Sequence, residues 1–153
     1  NMLQNNYKIS HLMIFLTILK KEKFENMVQN DMLLEWASFC GNCYGTPRAY
    51  VEKLLDSGMN VVLEIDVQGA LQVMKSMPEC VSVFILPPSF EELEHRLRGR
   101  GTETEEKVRE RLETAKRELP YAPQYDYQIV NGGDIEAAYQ SLREVFLKST
   151  GEA

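Results

Sequence analysis

The stretch Val61-Val62-Leu63-Glu64-Ile65-Asp66-Val67-Gln68-Gly69 is an apolar run that ends in acids and a glycine. That is the pattern of a strand buried on both faces, with polar groups appearing where it leaves the core. Side chains alternate along a strand, so Glu64 and Asp66 share one face at its carboxyl end. Open α/β sheets bind ligands at that end. Spacing alone leaves two readings equal: the acids hold a ligand, or they cap the helix expected from Val67. A third acid, Glu35, sits inside Leu33–Cys40 (LLEWASFC), a strand with no cleanly polar face. A carboxylate there needs a partner, because burying it alone is costly.

The other chemical group is cationic. Arg96, Arg98, Arg100, Arg109 and Arg111 are closely spaced, with Gly99 and Gly101 flanking Arg100. Glycine neighbours let a backbone hinge, as a mobile lid must, and the planar guanidinium pairs bidentately with phosphate oxygens. The plainer reading is a solvated helix face with Glu103, Glu105, Glu106 and Glu110 as ion-pair partners. Cys40 and Cys43 have C-x-x-C spacing. Only Cys80, His11 and His95 remain to complete a zinc site, none at paired spacing. A redox pair would lead straight into a helix, whereas Tyr44-Gly45-Thr46-Pro47 intervenes, so two incidental cysteines are the favoured reading.

The elements that must position these groups follow from periodicity. Residues 20–30 read as a short amphipathic helix, 33–40 as a strand, and 41–47 as a turn-rich loop. Thr46 and Pro47 look like the N-cap and first position of a helix ending at Gly58. After the strand at 61–66 come a helix over 67–76 and an apolar strand over 81–86. A helix capped by Ser89 with Glu92 three positions on follows, then a charged helix over about 103–119, a strand over 127–130 and a last helix over 135–147. Strands separated by helices imply right-handed crossovers and a parallel sheet. With 153 residues and 44% hydrophobic content, one sizeable core is the expectation.

A formal charge of −6 argues against broad binding to nucleic acid or anionic membranes. Three cysteines and seven methionines suit a reducing compartment, so the chain is expected to be cytoplasmic. His11–Leu19 (HLMIFLTIL) is too short to span a bilayer and lacks the flanks of a signal peptide. A buried strand or short helix is the safer reading.

Taken together, the motifs become specific. Leu34-Glu35 with Gly41-Asn42-x-Tyr44-Gly45-Thr46, then Glu64-Ile65-Asp66-x-Gln68-Gly69-Ala70, Phe84-Ile85-Leu86-Pro87-Pro88, Arg96-Leu97-x-x-Arg100-Gly101-Thr102-Glu103, and Tyr125-Asp126-Tyr127 with Val130-Asn131 resemble the guanylate kinase family in order and spacing from about Phe24 onward. The resemblance implies an α/β, P-loop-kinase-like parallel sheet flanked by helices, with a small GMP-binding β subdomain and an arginine-rich lid. It implies transfer of a phosphoryl group from ATP, bound with Mg2+, to GMP, giving ADP and GDP. Residues 1–20 would be an atypical segment and 21–153 the kinase-like domain. Within the latter, about 21–58 would bind GMP, 59–97 with 120–153 would form the core, and about 98–119 the lid.

By the same resemblance, Glu35 takes the N1-H and 2-amino donors of guanine, Asp66 adds a contact to the amino group, and Thr46 reads the O6 side. Tyr44 binds the GMP phosphate. Arg100 and Arg111 are lid arginines that close over the transferred group, with Arg100 also reaching ATP. Asn131 lies near the adenine, and Glu64 near the magnesium ion without a direct ligand role. The departures are equally clear. Family members begin with a strand and a phosphate loop, G-x-x-x-x-G-K-[ST], and no Gly-Lys pair occurs in this sequence. A paired-arginine segment and a tyrosine sharing the GMP phosphate are also absent. The expectation is a truncated or frame-disrupted kinase, impaired on its own, whose first strand and P-loop are missing. The alternative is a catalytically dead guanylate-kinase-like module that binds a protein partner.

Overall fold

The structure, a computed structural model, describes residues 21–39, 42–101 and 103–151. The apolar segment His11–Leu19 and Cys40 lie outside them. The chain divides into two compact units, up to Cys80 and from Val81.

In the first unit, helix α1 (Lys21–Gln29) leads through a turn into strand β1 (Leu33–Phe39), which pairs antiparallel with β2 (Asn42–Pro47). Helices α2 (Arg48–Asp56) and α3 (Val67–Ser76) complete it. Asp31 takes a positive φ of 52° in the turn before β1, a conformation Asp tolerates better than most residues. The guanidinium of Arg48 braces that turn, donating to the Asp31 carbonyl and side chain and to the Leu33 carbonyl. The core forms where Leu34, Val51 and Val73 meet, with Val61, Leu63, Ile65, Met77 and Cys80 packed against them.

Three sequence expectations are corrected in this unit. Residues 42–47 form a strand rather than a loop, because they pair along β1 from Phe39↔Asn42 to Leu33↔Pro47. Their turn-forming residue types concealed an antiparallel hairpin. Thr46 accordingly lies within β2 instead of capping α2; Pro47 ends the strand, holds the cap position and supplies no side-chain bond. Finally, residues 61–66 are not a strand buried on both faces. Val61, Leu63 and Ile65 are half-buried against the core while Val62, Glu64 and Asp66 are exposed, with Val62 at 52%. The alternation of a strand survives, but no strand pairs with the segment among the described residues, and pairing is what makes a strand.

The second unit holds β3 (Val83–Leu86) and β4 (Tyr127–Val130), joined in parallel, with helices α4 (Phe90–Gly99), α5 (Glu105–Glu118) and α6 (Ile135–Thr150) and a short 3-10 turn at Leu119–Gln124. A polar clip fixes the register where the two strands begin. Ser82 donates to Asp126 through both its amide (2.9 Å) and its hydroxyl (2.7 Å), and the Asp126 amide donates back to the Ser82 hydroxyl. Those bonds hold the Asp126 carboxyl below its usual range. Beside the clip, Phe84 and Tyr125 meet edge to face at 4.9 Å. Ser89 caps α4 by accepting from the Glu92 amide, as its spacing predicts. No described helix is long and apolar enough to cross a membrane.

Candidate functional site

The first unit buries a carboxylate and closes a hydrogen-bonded cage around it. Between the pairs Leu33↔Pro47 and Glu35↔Thr46 the register shifts by one residue, so β1 carries an extra residue there. Such a bulge twists a strand and re-aims the side chain beside it. Glu35 and Thr46 end directly opposite one another, 6% and 1% exposed. The Thr46 hydroxyl donates to Glu35 Oε1 over 2.5 Å. Gly45 makes the approach possible, since a Cβ there would lie 2.8 Å from the Glu35 carbonyl oxygen and 3.1 Å from Trp36 Cβ. Tyr44, two residues before Thr46 on β2, shares its face of the sheet and is half-buried.

Helix α3 brings the second acid to the first. Asp66 is its N-cap, with Oδ1 accepting from the Gly69 amide over 2.8 Å, so the cap reading of this residue holds. The Glu35 carboxylate approaches the same glycine from the strand side: a Cβ on Gly69 would lie 2.6 Å from Glu35 Oε2. Burial pushes the Glu35 carboxyl above its ordinary range. The Thr46 hydrogen bond opposes that shift and the nearby charge of Asp66 adds to it. The result is a desolvated carboxylate beside a second acid, an arrangement suited to accepting two adjacent donors from a ligand.

The cage has a brace that sequence reasoning missed. The Gln72 carboxamide accepts from the Trp36 amide (3.2 Å) and donates to the Trp36 carbonyl (2.7 Å), serving β1 as a third strand would. Its only sequence signal is its place one turn after Gln68. A cleft of about 340 Å³ adjoins this brace, lined by Trp36, Gln72, Arg48 and Lys75 among others. None of the expected site residues lines it.

In the second unit the arginines are largely occupied by local acids. Arg98 pairs with Glu94 (2.8 Å) and with Glu105, and these bonds raise its already high pKa. Arg109 reaches Glu105 at 3.5 Å and Arg111 reaches Glu103 at 3.1 Å. Arg100, exposed at the end of α4, makes no ion pair among the described residues. Gly101 beside it takes a φ of 61°, which a side chain would resist. Arg96, a member of the arginine cluster read from sequence, bonds Glu92 (2.6 Å) and the Asn131 carbonyl (2.9 Å), anchoring the loop after β4 to α4. Asn131 itself accepts from the Gly133 amide at 3.4 Å.

Glu35, Thr46 and Asp66 therefore converge, with Tyr44 on the same strand face, while Arg100, Arg111 and Asn131 lie in the other unit. Glu64 is exposed. Among the described residues no group of three or more His, Cys, Asp or Glu side chains is placed to hold a metal ion. With no Gly-Lys pair in the sequence either, the described residues form no site for Mg2+ and ATP phosphates.

An α/β chain of this kind, with a caged acid on a small β hairpin and an arginine-bearing helix pair, has a P-loop-kinase-like fold. A crystal structure of guanylate kinase from Anaplasma phagocytophilum superposes with a TM-score of 0.67 at 35% identity, covering 86% of this chain and 63% of that one. The guanylate kinase family profile matches residues 15–149, beginning earlier than the polar motifs alone reveal. Guanylate kinases of Desulfitobacterium hafniense (strain Y51) and Synechococcus sp. (strain CC9311) are 49% and 51% identical over 127 and 124 residues. Those alignments take in 83% and 81% of this chain. The chain belongs to the guanylate kinase family. It spans 63% and 65% of the length of these two relatives.

Proposed function

We propose that this chain carries the guanine-recognising and arginine-bearing parts of an enzyme that transfers a phosphoryl group from ATP to GMP. The observation that carries the reading is the meeting of Glu35, Thr46 and Asp66 around Gly69. Guanine presents N1-H and a 2-amino group side by side, and a carboxylate accepts both. Glu35 fills that role, Asp66 adds an acceptor for the amino group, and the Thr46 hydroxyl, whose one proton is donated to Glu35 Oε1 in this structure, turns to donate to O6 when the base binds. Tyr44 takes the GMP phosphate. Arg100 and Arg111 belong to a lid that neutralises charge on the transferred group, and Asn131 to the adenine side. Phosphoryl transfer depends on such positioning and charge neutralisation more than on covalent help from the protein.

ATP with its Mg2+ supplies the phosphoryl group in this reaction. The 153 residues on their own lack the Gly-Lys element that would cradle those phosphates, so alone they bind GMP and turn it over poorly if at all. Two measurements on the purified chain test this. Titration followed by NMR is expected to show saturable binding of GMP and much weaker binding of AMP; equal affinity for the two refutes the guanine site. A coupled ADP-release assay is expected to stay near background, and normal turnover refutes the claim of impairment. Loss of GMP binding with the fold intact would favour the protein-binding module instead. The protein is proposed to act in the cytoplasm.

A further inference from the structure

We infer that Gly69 sets the position of the Glu35 carboxylate and, through it, the preference for guanine; the second half of the inference rests on the function proposed above. Gly69 is buried in the first turn of α3, and its φ is not among the positive ones. Backbone conformation therefore gives no reason for glycine, and helix propensity favours alanine at such a position. What excludes a side chain is the carboxylate. A Cβ at position 69 would lie 2.6 Å from Glu35 Oε2, 3.2 Å from Glu35 Cδ and 3.4 Å from Ile65 Cβ.

Glu35 has little room to retreat. Its Oε1 is held by Thr46 at 2.5 Å, and the backbone of the next residue, Trp36, is clamped at both N–H and C=O by Gln72. An added methyl would therefore turn the carboxylate about its own axis and swing Oε2 away. Two parallel donors need both oxygens in their plane, so this rotation acts on base recognition more than on the fold. Adenine presents no such donor pair, and hypoxanthine keeps N1-H without the amino group.

The test compares Gly69→Ala, Glu35→Ala, Glu35→Asp and the two doubles in the 153-residue chain. Gly69→Ala is expected to weaken GMP binding at least tenfold, to bring GMP and IMP affinities together, and to shift the pH titration of the Glu35 side-chain carboxyl carbon seen by NMR. Its effect on Tm is expected to change sign with background: a fall when Glu35 is present, a rise with Glu35→Ala, where only helix propensity remains. With Glu35→Asp, whose shorter side chain clears the methyl, the fall in Tm is expected to shrink. If Gly69→Ala alone fails to fold, recovery of folding in the Gly69→Ala/Glu35→Asp double supports the inference and failure to recover overturns it. An unchanged Glu35 titration in Gly69→Ala, or the same Tm change in every background, also overturns it. If the unsubstituted chain does not bind GMP, the nucleotide reading fails, while the carboxyl titration and the Tm sign still decide the positioning role.

Discussion

The cage around Glu35 and the arginine segment at α4 and α5 handle charge in opposite ways. Glu35 is withdrawn from solvent, bonded by Thr46 and crowded by Asp66 and Gly69, so its carboxyl is pushed up. Arg98, Arg109 and Arg111 stand at the surface and borrow Glu94, Glu105 and Glu103 as partners. Desolvation makes each bond at the first site matter and makes any missing bond costly. Screening makes each pair at the second site weak and replaceable. Under the function proposed above, the difference suits a preformed site for the base and arginines free to exchange one set of anions for another.

The comparison is most exposed to a change at Glu35. Glu35→Ala removes both acceptors proposed for the guanine donors, and hydrogen bonds to a charged group contribute about 1.5–3 kcal/mol each. GMP affinity is expected to fall by a factor on the order of a hundred or more, seen as loss of saturation in an NMR titration. Arg100→Ala is expected to leave the stability of the chain within about 0.5 kcal/mol, as for most surface substitutions. A small effect at Glu35 would erase the contrast between the two regions.

Thr46→Val tests the cage without touching its charge. The substitution keeps the shape of the side chain and removes the donor to Glu35 Oε1, at a residue only 1% exposed. A buried acceptor left without its partner costs about 1–3 kcal/mol, so urea denaturation is expected to show a loss of that size. A loss below about 0.5 kcal/mol would mean that water enters the site and that the carboxylate is not desolvated.

The contrast also separates what could be read in the sequence from what could not. Helices with local signals were legible: Ser89 and Glu92 announced α4, and Gly58 marked the end of α2. β4 was legible from its apolar run between turn residues. The hairpin was not, because the Asn, Gly, Thr and Pro of residues 42–47 form a strand only through pairing with β1. The converse failure at Val61–Asp66 has the same cause, since an ideal strand composition remains unpaired among the described residues. For the candidate site, Glu35, Thr46 and Asp66 were legible as motif members. The Gln72 clamp, the Arg96 anchor and the crowding at Gly69 depend on contacts distant in sequence, and a single chain's residue order does not encode distances.

A gentler probe uses pH. The folded carboxyl of Glu35 titrates above its usual 4.5, chiefly because burial penalises its charged form. A group whose folded pKa is raised binds protons more tightly in the folded state, so its contribution to stability is greatest at low pH. That contribution is lost as pH rises from about 4.5 through the raised folded value. Glu35→Gln keeps an oxygen acceptor for Thr46 and removes the ionisation. It is expected to be more stable than the parent chain at pH 7 and to converge with it near pH 4, measured as the difference between the two urea midpoints across that range. A difference that grows as pH falls would reverse the assigned direction.

The smallest expected effect lies at Arg98. This residue bonds Glu94 on its own helix and Glu105 at the start of α5, spanning the segment that holds Arg100 and Gly101. Its ion pairs are well formed but lie in solvent, where side-chain ordering and salt offset much of the attraction. Arg98→Gln is expected to lower Tm slightly in low-salt buffer and not measurably at about 1 M salt, where the screening length falls to about 3 Å. The two arms of that experiment say different things. A salt-independent loss would mean that Arg98 acts by packing its stem against the helix pair. A loss larger than that of Thr46→Val would place the stabilising electrostatics in the exposed segment rather than the buried cage, and the contrast between the two regions would have to be reversed.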